Sequence, residues 1–508
     1  MKKNLIVPIV FDLLDSSAEK PALSWVFEMY TNYCVENDMA IIAQENYFKQ
    51  DIKLLNKTYD SWSPKENEED PTSFQIKQTN LNKKKNTFLK YAITNNETNE
   101  IDKGRKVSFE DQVYFMSHIN RTFEKIVNNK LDKIEKDFNH KVDAILTWYW
   151  NPSLSNLAIK RNIKLINQEI SPIRNINQNF NTSLSYFVFG NKFDSDYCKD
   201  LYDQFLDSDS LPSIKIFSRE ELLAIFLNKE DLGLLKLLQT PPEFDLGISP
   251  PIENDFFFEI YKNEPTIRTF KKINKLFPPE KVSIRYRLEP SKKIGNPKWD
   301  IDSSNKSLYW VVNCKRILTY VSNIAFDAMM LGKTVYLLSN NMPFSFKSIT
   351  SLAWKDESVV DSLYLNFMLF GYFVPWDLML NQDYIDWRLT NPSIIDIYKK
   401  NQEYIFKKMG LDKIKNISLR EILSSVHKLN EKEIQEIQNY SEFLYIKALK
   451  EDIINKEKWI SNTNQDINKM QNEIEEFRAF KKGKIWKYMN KYRKVKDYVN
   501  KTINISKN

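Results

Sequence analysis

The stretch of this 508-residue chain with the most chemistry in it is Thr319 to Leu338, TYVSNIAFDAMMLGKTVYLL, which reads as strand, turn, helix and strand. Ser322 and Asn323 fall where the strand ends and the helix begins, so side-chain caps and backbone N–H groups are expected to face a ligand there. Helix starts of this kind bind phosphate. Ala325 and Ala328 are small enough for close approach, and Asp327, one turn into the helix, is placed to accept hydrogen bonds from ribose hydroxyls. Gly332 and Lys333 look like the end of a phosphate-binding loop, but that motif needs glycine at position 327, where Asp stands. A second segment, LINQEISPIR, follows a strand-like run and sets Glu169 and Arg174 at its C-terminal end, where open α/β sheets bind ligands. Glu169 suits a general acid, a general base or an orienting carboxylate, and Arg174 suits bidentate grip on an anion; a surface ion pair is the plainer alternative. A third, DLGISPPIENDFFF, offers the carboxylates Asp245, Glu253 and Asp255.

Around these, KVSIRYRL reads as a strand carrying Arg285 and Arg287, with more positive charge at Lys315 and Arg316. No GxGxxG, GxxxxGK[ST] or GxSxG occurs, which removes the familiar dinucleotide, P-loop and serine-hydrolase signatures. His118, His140 and His427 lack metal-ligand spacing, and Cys34, Cys198 and Cys314 form neither CxxC nor a disulfide framework, so no metal and a reducing compartment are expected. The pairs Asp194/Asp196 and Asp207/Asp209 mimic a DxD metal motif, but such pairs are common in turns.

The elements that must hold these residues alternate. NLIVPIV (4–10) reads as a buried strand and ALSWVFEMYTNYC from Ala22 as the helix after it. Polar runs at 63–73 and 81–86 read as an insertion. Residues 108–138 form one long helix candidate, followed by a strand (DAILTWY), a helix (PSLSNLAIKRN), a strand (IKLIN) and a further strand (SYFVFG). The Pro-rich TPPEFDLGISPPIEND is the expected crossover, with a boundary near Ser249. Beyond it PTIRTFKKINKLF is helical, and KVSIRYRL and SLYWVVN are strands. The expected organisation is an N-terminal Rossmann-like domain over 1–249, a second over 250–417, a helical segment over 418–480 and a basic tail over 481–508. Ile460, Ile467, Met470, Ile474 and Phe477 fit heptad a/d positions, as a short coiled coil or an ordinary packing helix.

Formal charge is +7, but 481–508 alone carries +9, which leaves −2 for the rest. In that tail Ile485, Met489, Tyr492, Val495 and Val499 follow helical spacing among lysines, with Trp486 and Tyr488 alongside. A basic amphipathic helix of that kind lies on an anionic membrane surface, while a basic groove for nucleic acid is missing. The basic start MKKNLIVPIVFDLLD is broken at Pro8 and Asp12, and nothing approaches the roughly 18 apolar residues of a membrane span, so the expectation is a cytoplasmic protein, peripheral on the membrane.

SNIAFDAMMLGKTV resembles the S-x-x-x-x-[ED]-A-x-x-x-G-K-x-V segment of bacterial capsule and lipopolysaccharide glycosyltransferases with the glycosyltransferase B fold, Asp327 standing where Glu is usual. TWYWNPSLSNLAIKRNIKLINQEISPIR is similar to retaining β-Kdo transferases, glycosyltransferase family 99. The resemblance implies two Rossmann-like domains with a helical C-terminal extension, a CMP-Kdo donor with no other cofactor, and a lipid-linked or growing glycan of O-antigen or capsule as acceptor. It also implies an aspartate nucleophile from the crossover, Asp255 first and Asp245 second, with Glu169 assisting proton transfer. Ser322, Asn323, Asp327, Arg174, Arg285, Arg287, Glu289 and Lys315 would serve the donor. In SIRYRLEP, Glu289 takes the place of a family histidine, a departure that leaves open an inverting transferase using a UDP- or GDP-sugar, or a non-catalytic scaffold of polysaccharide assembly.

Overall fold

The structure is a computed structural model. It describes residues 4–11, 13, 39–45, 88–104, 106–148, 150–170, 173, 183–191, 194–238, 240–251, 259–260, 266–286, 295–302, 306–339, 341–351, 360–379, 381–414 and 416–437, and then 469, 471, 472, 475 and 487–494. The helix expected from Ala22, the polar runs at 63–73 and 81–86, and the heptad positions from Ile460 to Phe477 lie outside the described residues.

Two mainly parallel α/β sheets organise 1–434, which form one compact unit. The first contains β1 (Ile6–Val10), β2 (Met39–Gln44), β3 (Phe88–Ile93), β4 (Ala144–Thr147), β5 (Lys164–Ile170), β6 (Leu184–Phe189) and β12 (Phe373–Pro375), in the order β12-β6-β5-β4-β1-β2-β3. The second contains β7 (Phe244–Ile248), β8 (Val282–Ile284), β9 (Asp300–Ile301), β10 (Cys314–Thr319) and β11 (Thr334–Leu337), in the order β11-β10-β7-β8-β9. Strands β1 and β4 are near-continuous apolar runs because both faces of the sheet are covered, leaving no solvent side to demand alternation. One face of the first sheet buries Ile6, Leu146, Ile166 and Phe187, and the other buries Val7, Ile9, Ile145 and Leu165. The α/β expectation of two Rossmann-like halves therefore holds.

Several local expectations change. The single helix expected over 108–138 is two, α1 (Phe109–Ser117) and α2 (Arg121–Phe138). Asn120 divides them: its side chain accepts from Phe123 N at 2.9 Å as an N-cap, and its own N–H donates to Ser153 Oγ at 2.9 Å, at the start of α3 (Pro152–Arg161). SLYWVVN is not a strand but a short helix (Ser307–Val312). An apolar run of that length is ambiguous from its pattern, and here Trp310 is drawn inward to donate from Nε1 to Ser283 Oγ at 2.9 Å. SYFVFG is a strand, β6, but it runs antiparallel to β5.

The domain boundaries also move. Strand β7 already lies in the second sheet, so the chain changes sheets before Phe244 rather than near Ser249. At the other end, the second sheet is complete by β11, and β12 returns to pair antiparallel with β6, well before 417. Buried Asn366 pins this returning segment, donating to Phe217 O at 2.8 Å and Ser362 O at 2.7 Å while accepting from Phe217 N at 3.0 Å and Tyr398 Oη at 3.1 Å. The helix Leu419–Ser425 packs on Arg219–Phe226, and His427 Nε2 donates to Ala224 O at 2.6 Å, so 418–434 belongs to the same compact unit as the sheets. Gln435–Asn508 form the second unit, in which 487–494 is helical with Tyr488, Met489 and Tyr492 exposed. Among the described residues no helix is long and apolar enough to cross a membrane.

Lys333 shows why its resemblance to a phosphate-loop lysine fails. It precedes β11, at the edge of the sheet opposite the strand ends, is 8% exposed, and donates to Val312 O at 2.7 Å. Burial brings its ammonium down to about 8.

Candidate active site

In parallel α/β sheets the carboxyl ends of the strands form the ligand edge. In the second sheet that edge comprises Ser249 and Pro250 after β7, Arg285 and Tyr286 after β8, Asp302 after β9, Thr319 to Ser322 at the end of β10, and Leu338 and Ser339 after β11. Its backbone is tied across strands: Arg285 N donates to Ile248 O at 2.9 Å, Leu338 N to Thr319 O at 2.9 Å, and the Thr319 hydroxyl to Ser249 O at 3.1 Å. Arg285 forms an ion pair with Asp302, which fixes the guanidinium at the edge. No sequence signal marked Asp302, because the partnership depends on β8 and β9 being neighbours.

Helix α4 (Ile324–Met330) starts from this edge. Ser322 Oγ accepts from Ile324 N at 3.3 Å, as the sequence suggested for a cap. Asn323 departs from the expectation: it makes no side-chain cap bond and has helical backbone angles. The N–H groups of Ala325 and Phe326 donate to Ser322 O at 3.1 Å and Asn323 O at 2.9 Å, a tight turn that satisfies donors expected to face a ligand. Asp327 is half-buried, one turn into the helix as read from the sequence.

The side chain of Asn323 instead reaches the other sheet, where its Oδ1 accepts from Tyr186 Oη at 3.2 Å. Tyr186 is on β6 and pairs in register with Glu169 on β5. Directly opposed residues have Cβ atoms about 4.5–5.5 Å apart. Glu169, half-buried at the carboxyl end of β5, is thus one cross-strand step from a side chain that touches the helix start of the second sheet. Rings strengthen the join: Tyr186 meets Phe373 at 5.2 Å edge-on, and Phe373 meets Phe326 of α4 at 5.2 Å. Tyr186 was visible in the sequence as a strand residue only, since its cross-sheet role is set by register.

Other expected residues are elsewhere. Asp245 is the second residue of β7, three residues before the ligand edge, about 10 Å away at ~3.3 Å per residue. It therefore lies toward the amino end of β7, away from the ligand edge. Lys315 and Arg316 are the second and third residues of β10 and likewise sit toward its amino end. Asp255, Arg174, Arg287 and Glu289 lie outside the described residues. Asp194, of the apparent DxD pair, caps the helix Ser195–Leu206 by accepting from Tyr197 N at 3.0 Å. Among the described residues no group of three or more His, Cys, Asp or Glu is arranged to hold a metal ion.

Residues 12–192, spanning β2 to β6, match the family described as the glycosyltransferase 99 family N-terminal domain. No curated protein matches the chain. Among solved structures, Thermosulfurimonas dismutans KpsC, beta Kdo 2,7 transferase, aligns at 14% identity over 52% of this chain and 89% of that one, with a TM-score of 0.33. The beta Kdo 2,4 transferase of the same organism aligns at 12% identity over 42% and 77%, with a TM-score of 0.28. A UDP-glucose: anthocyanidin 3-O-glucosyltransferase aligns at 10% identity over 86% and 100%, with a TM-score of 0.30. The resemblance carried by the motifs thus extends to a family match over most of the first sheet: residues 12–192 match the glycosyltransferase 99 family N-terminal domain, within a chain built on two mainly parallel α/β sheets.

Proposed function

We propose that the chain transfers Kdo from CMP-Kdo, with retention, to a lipid-linked or growing glycan of a bacterial surface polysaccharide. The observation that carries this reading furthest is the Tyr186–Asn323 bond, which joins the strand neighbour of Glu169 in the first sheet to the helix start of the second. The nucleotide sugar lies on the second sheet's edge, with Ser322 and Asp327 at the helix start, Arg285 on the neighbouring strand end, and Arg287, Glu289 and Arg174 supplying further polar contacts. Asp255 attacks the anomeric carbon and CMP leaves. The acceptor hydroxyl then attacks the same carbon, passes its proton to Glu169 and releases the Asp255 carboxylate.

The nucleotide half is tested by thermal stabilisation with CMP, UDP, GDP and ADP. A ligand of the folded state stabilises by RT ln(1 + [L]/Kd), about 2.7 kcal/mol at a hundredfold excess over Kd. Selective stabilisation by CMP is expected. Stabilisation by UDP or GDP alone would replace the donor, the outcome that Glu289 in the histidine's place favours. No response to any nucleotide would remove the transferase reading and leave a scaffold.

The same reading places the protein on an anionic membrane surface through its basic tail. Helix 487–494 supports this with Tyr488 and Tyr492 each 73% exposed among Lys487, Lys491, Arg493 and Lys494. Flotation with vesicles containing an anionic lipid should retain the protein at low salt and release it as salt rises. Equal recovery with neutral vesicles would count against a charge-driven contact.

A further inference from the structure

The first sheet carries a second cleft that the transfer site does not use. Strand β6 runs antiparallel to β5, so it begins near the ligand edge and ends at the opposite one, where Phe189 pairs with Ile166 near the start of β5. There a cleft of about 200 Å³ is lined by Phe187, Phe189, Tyr197, Gln204, Asn391 and Arg388. Arg388, near the end of the helix Gln382–Leu389, is only 5% exposed. Its Nη1 donates to Tyr384 Oη at 3.3 Å and its Nη2 to Phe187 O at 3.4 Å, both long, while its buried Nε has no partner. It forms no ion pair with any described residue. The guanidinium stacks on rings instead, 4.8 Å from the centroid of Phe187 and 5.6 Å from that of Phe189.

A buried guanidinium with two weak hydrogen bonds and no counter-charge is an incomplete arrangement, because desolvation of a cation is offset only by a paired anion and satisfied donors. Its planar fork matches a carboxylate or a phosphate. Lys164 adds positive charge at the same edge, 5.4 Å from the Phe189 ring. Besides aliphatic side chains such as Leu201, Pro392 and Ile394, the remaining walls carry aromatic rings, which stack on the apolar faces of sugars, and the exposed amides of Gln204 and Asn391, which bond hydroxyl groups.

We propose that this cleft is a second carbohydrate site, separate from the transfer site, that binds an anionic sugar with its carboxylate or phosphate ester on Arg388 and its ring against Phe189 and Tyr197. The placement does not depend on the donor proposed above. It predicts that the full-length protein binds glucuronic acid or glucose 6-phosphate in calorimetric titration, but not glucose. The two probes separate a carboxylate from a phosphate ester as the preferred anion. Arg388→Met should weaken the preferred probe at least tenfold and leave stabilisation by nucleotide unchanged. Gln204→Ala, on an exposed helix face, should weaken it severalfold and decides the matter if Arg388→Met does not fold. Failure of both anionic probes to bind, glucose binding as well as they do, or unaltered affinity in the folded variants would overturn the proposal.

Discussion

Glu169→Gln is expected to slow sugar transfer by about 10²–10⁴-fold, the span of a positioned general acid or base, with Tm and nucleotide stabilisation unchanged. The size follows from the substitution: Gln preserves shape and hydrogen-bonding reach but cannot take a proton. The site supports the expectation because Glu169 ends β5 half-buried and is held opposite Tyr186, whose hydroxyl is committed to Asn323 of the second sheet. Tyr186→Phe is the control. It removes that one bond, 3.2 Å long, and should cost about 0.5–1.5 kcal/mol of stability and at most tenfold in rate. A loss in kcat/KM for Glu169→Gln with kcat unchanged would mean that the carboxylate only binds acceptor. A loss below tenfold would reduce Glu169 to an orienting group and move proton transfer elsewhere.

How far the sequence reveals these features depends on whether each is local or set by register. Strands β1 and β4 are legible because burial on both faces leaves apolar runs bounded by polar turns, and α3 is legible from Asn151 and Pro152 at its start and Asn162 at its end. The Ser322 turn is legible for the same reason, a strand running directly into a helix. Facts that depend on strand order are not. Asp245 and Ile248 are three residues apart in sequence, yet only their direction within a parallel sheet shows that one is at the ligand edge and the other is not. Tyr186 is indistinguishable in sequence from any aromatic strand residue until β6 is known to run antiparallel beside β5. The returning segment around FMLFGYFV is apolar throughout and lacks periodicity, because its π-helical turn and β12 are buried on all sides. Its assignment to the first sheet rests on Asn366 and on the β12–β6 pairing, both of which span more than a hundred residues.

Gly247→Ala is expected to lower stability by about 1–3 kcal/mol, as overpacking of a tight core does, and to weaken nucleotide binding with it. Gly247 is in the middle of β7, the central strand of the second sheet, with β10 on one side and β8 on the other. A Cβ there would lie 2.6 Å from Cys314 Sγ, 2.8 Å from Ile317 Cδ1 and 2.9 Å from Trp310 Cζ2, none of them a loose chain end. All three neighbours are buried, and each leads to the site: Cys314 and Ile317 belong to the strand that delivers Ser322, and Trp310 holds Ser283 on the strand that delivers Arg285. The conflict is steric rather than conformational, so removing the nearest atom should relieve it. Cys314→Ala combined with Gly247→Ala is therefore expected to recover part of the Tm and of the nucleotide affinity lost in Gly247→Ala alone, a non-additive pairing of the kind that contacting residues show. A Gly247→Ala protein with the Tm of the parent would mean that the helix Ser307–Val312 moves aside freely, and the missing side chain at position 247 would then not be what fixes the two strand ends.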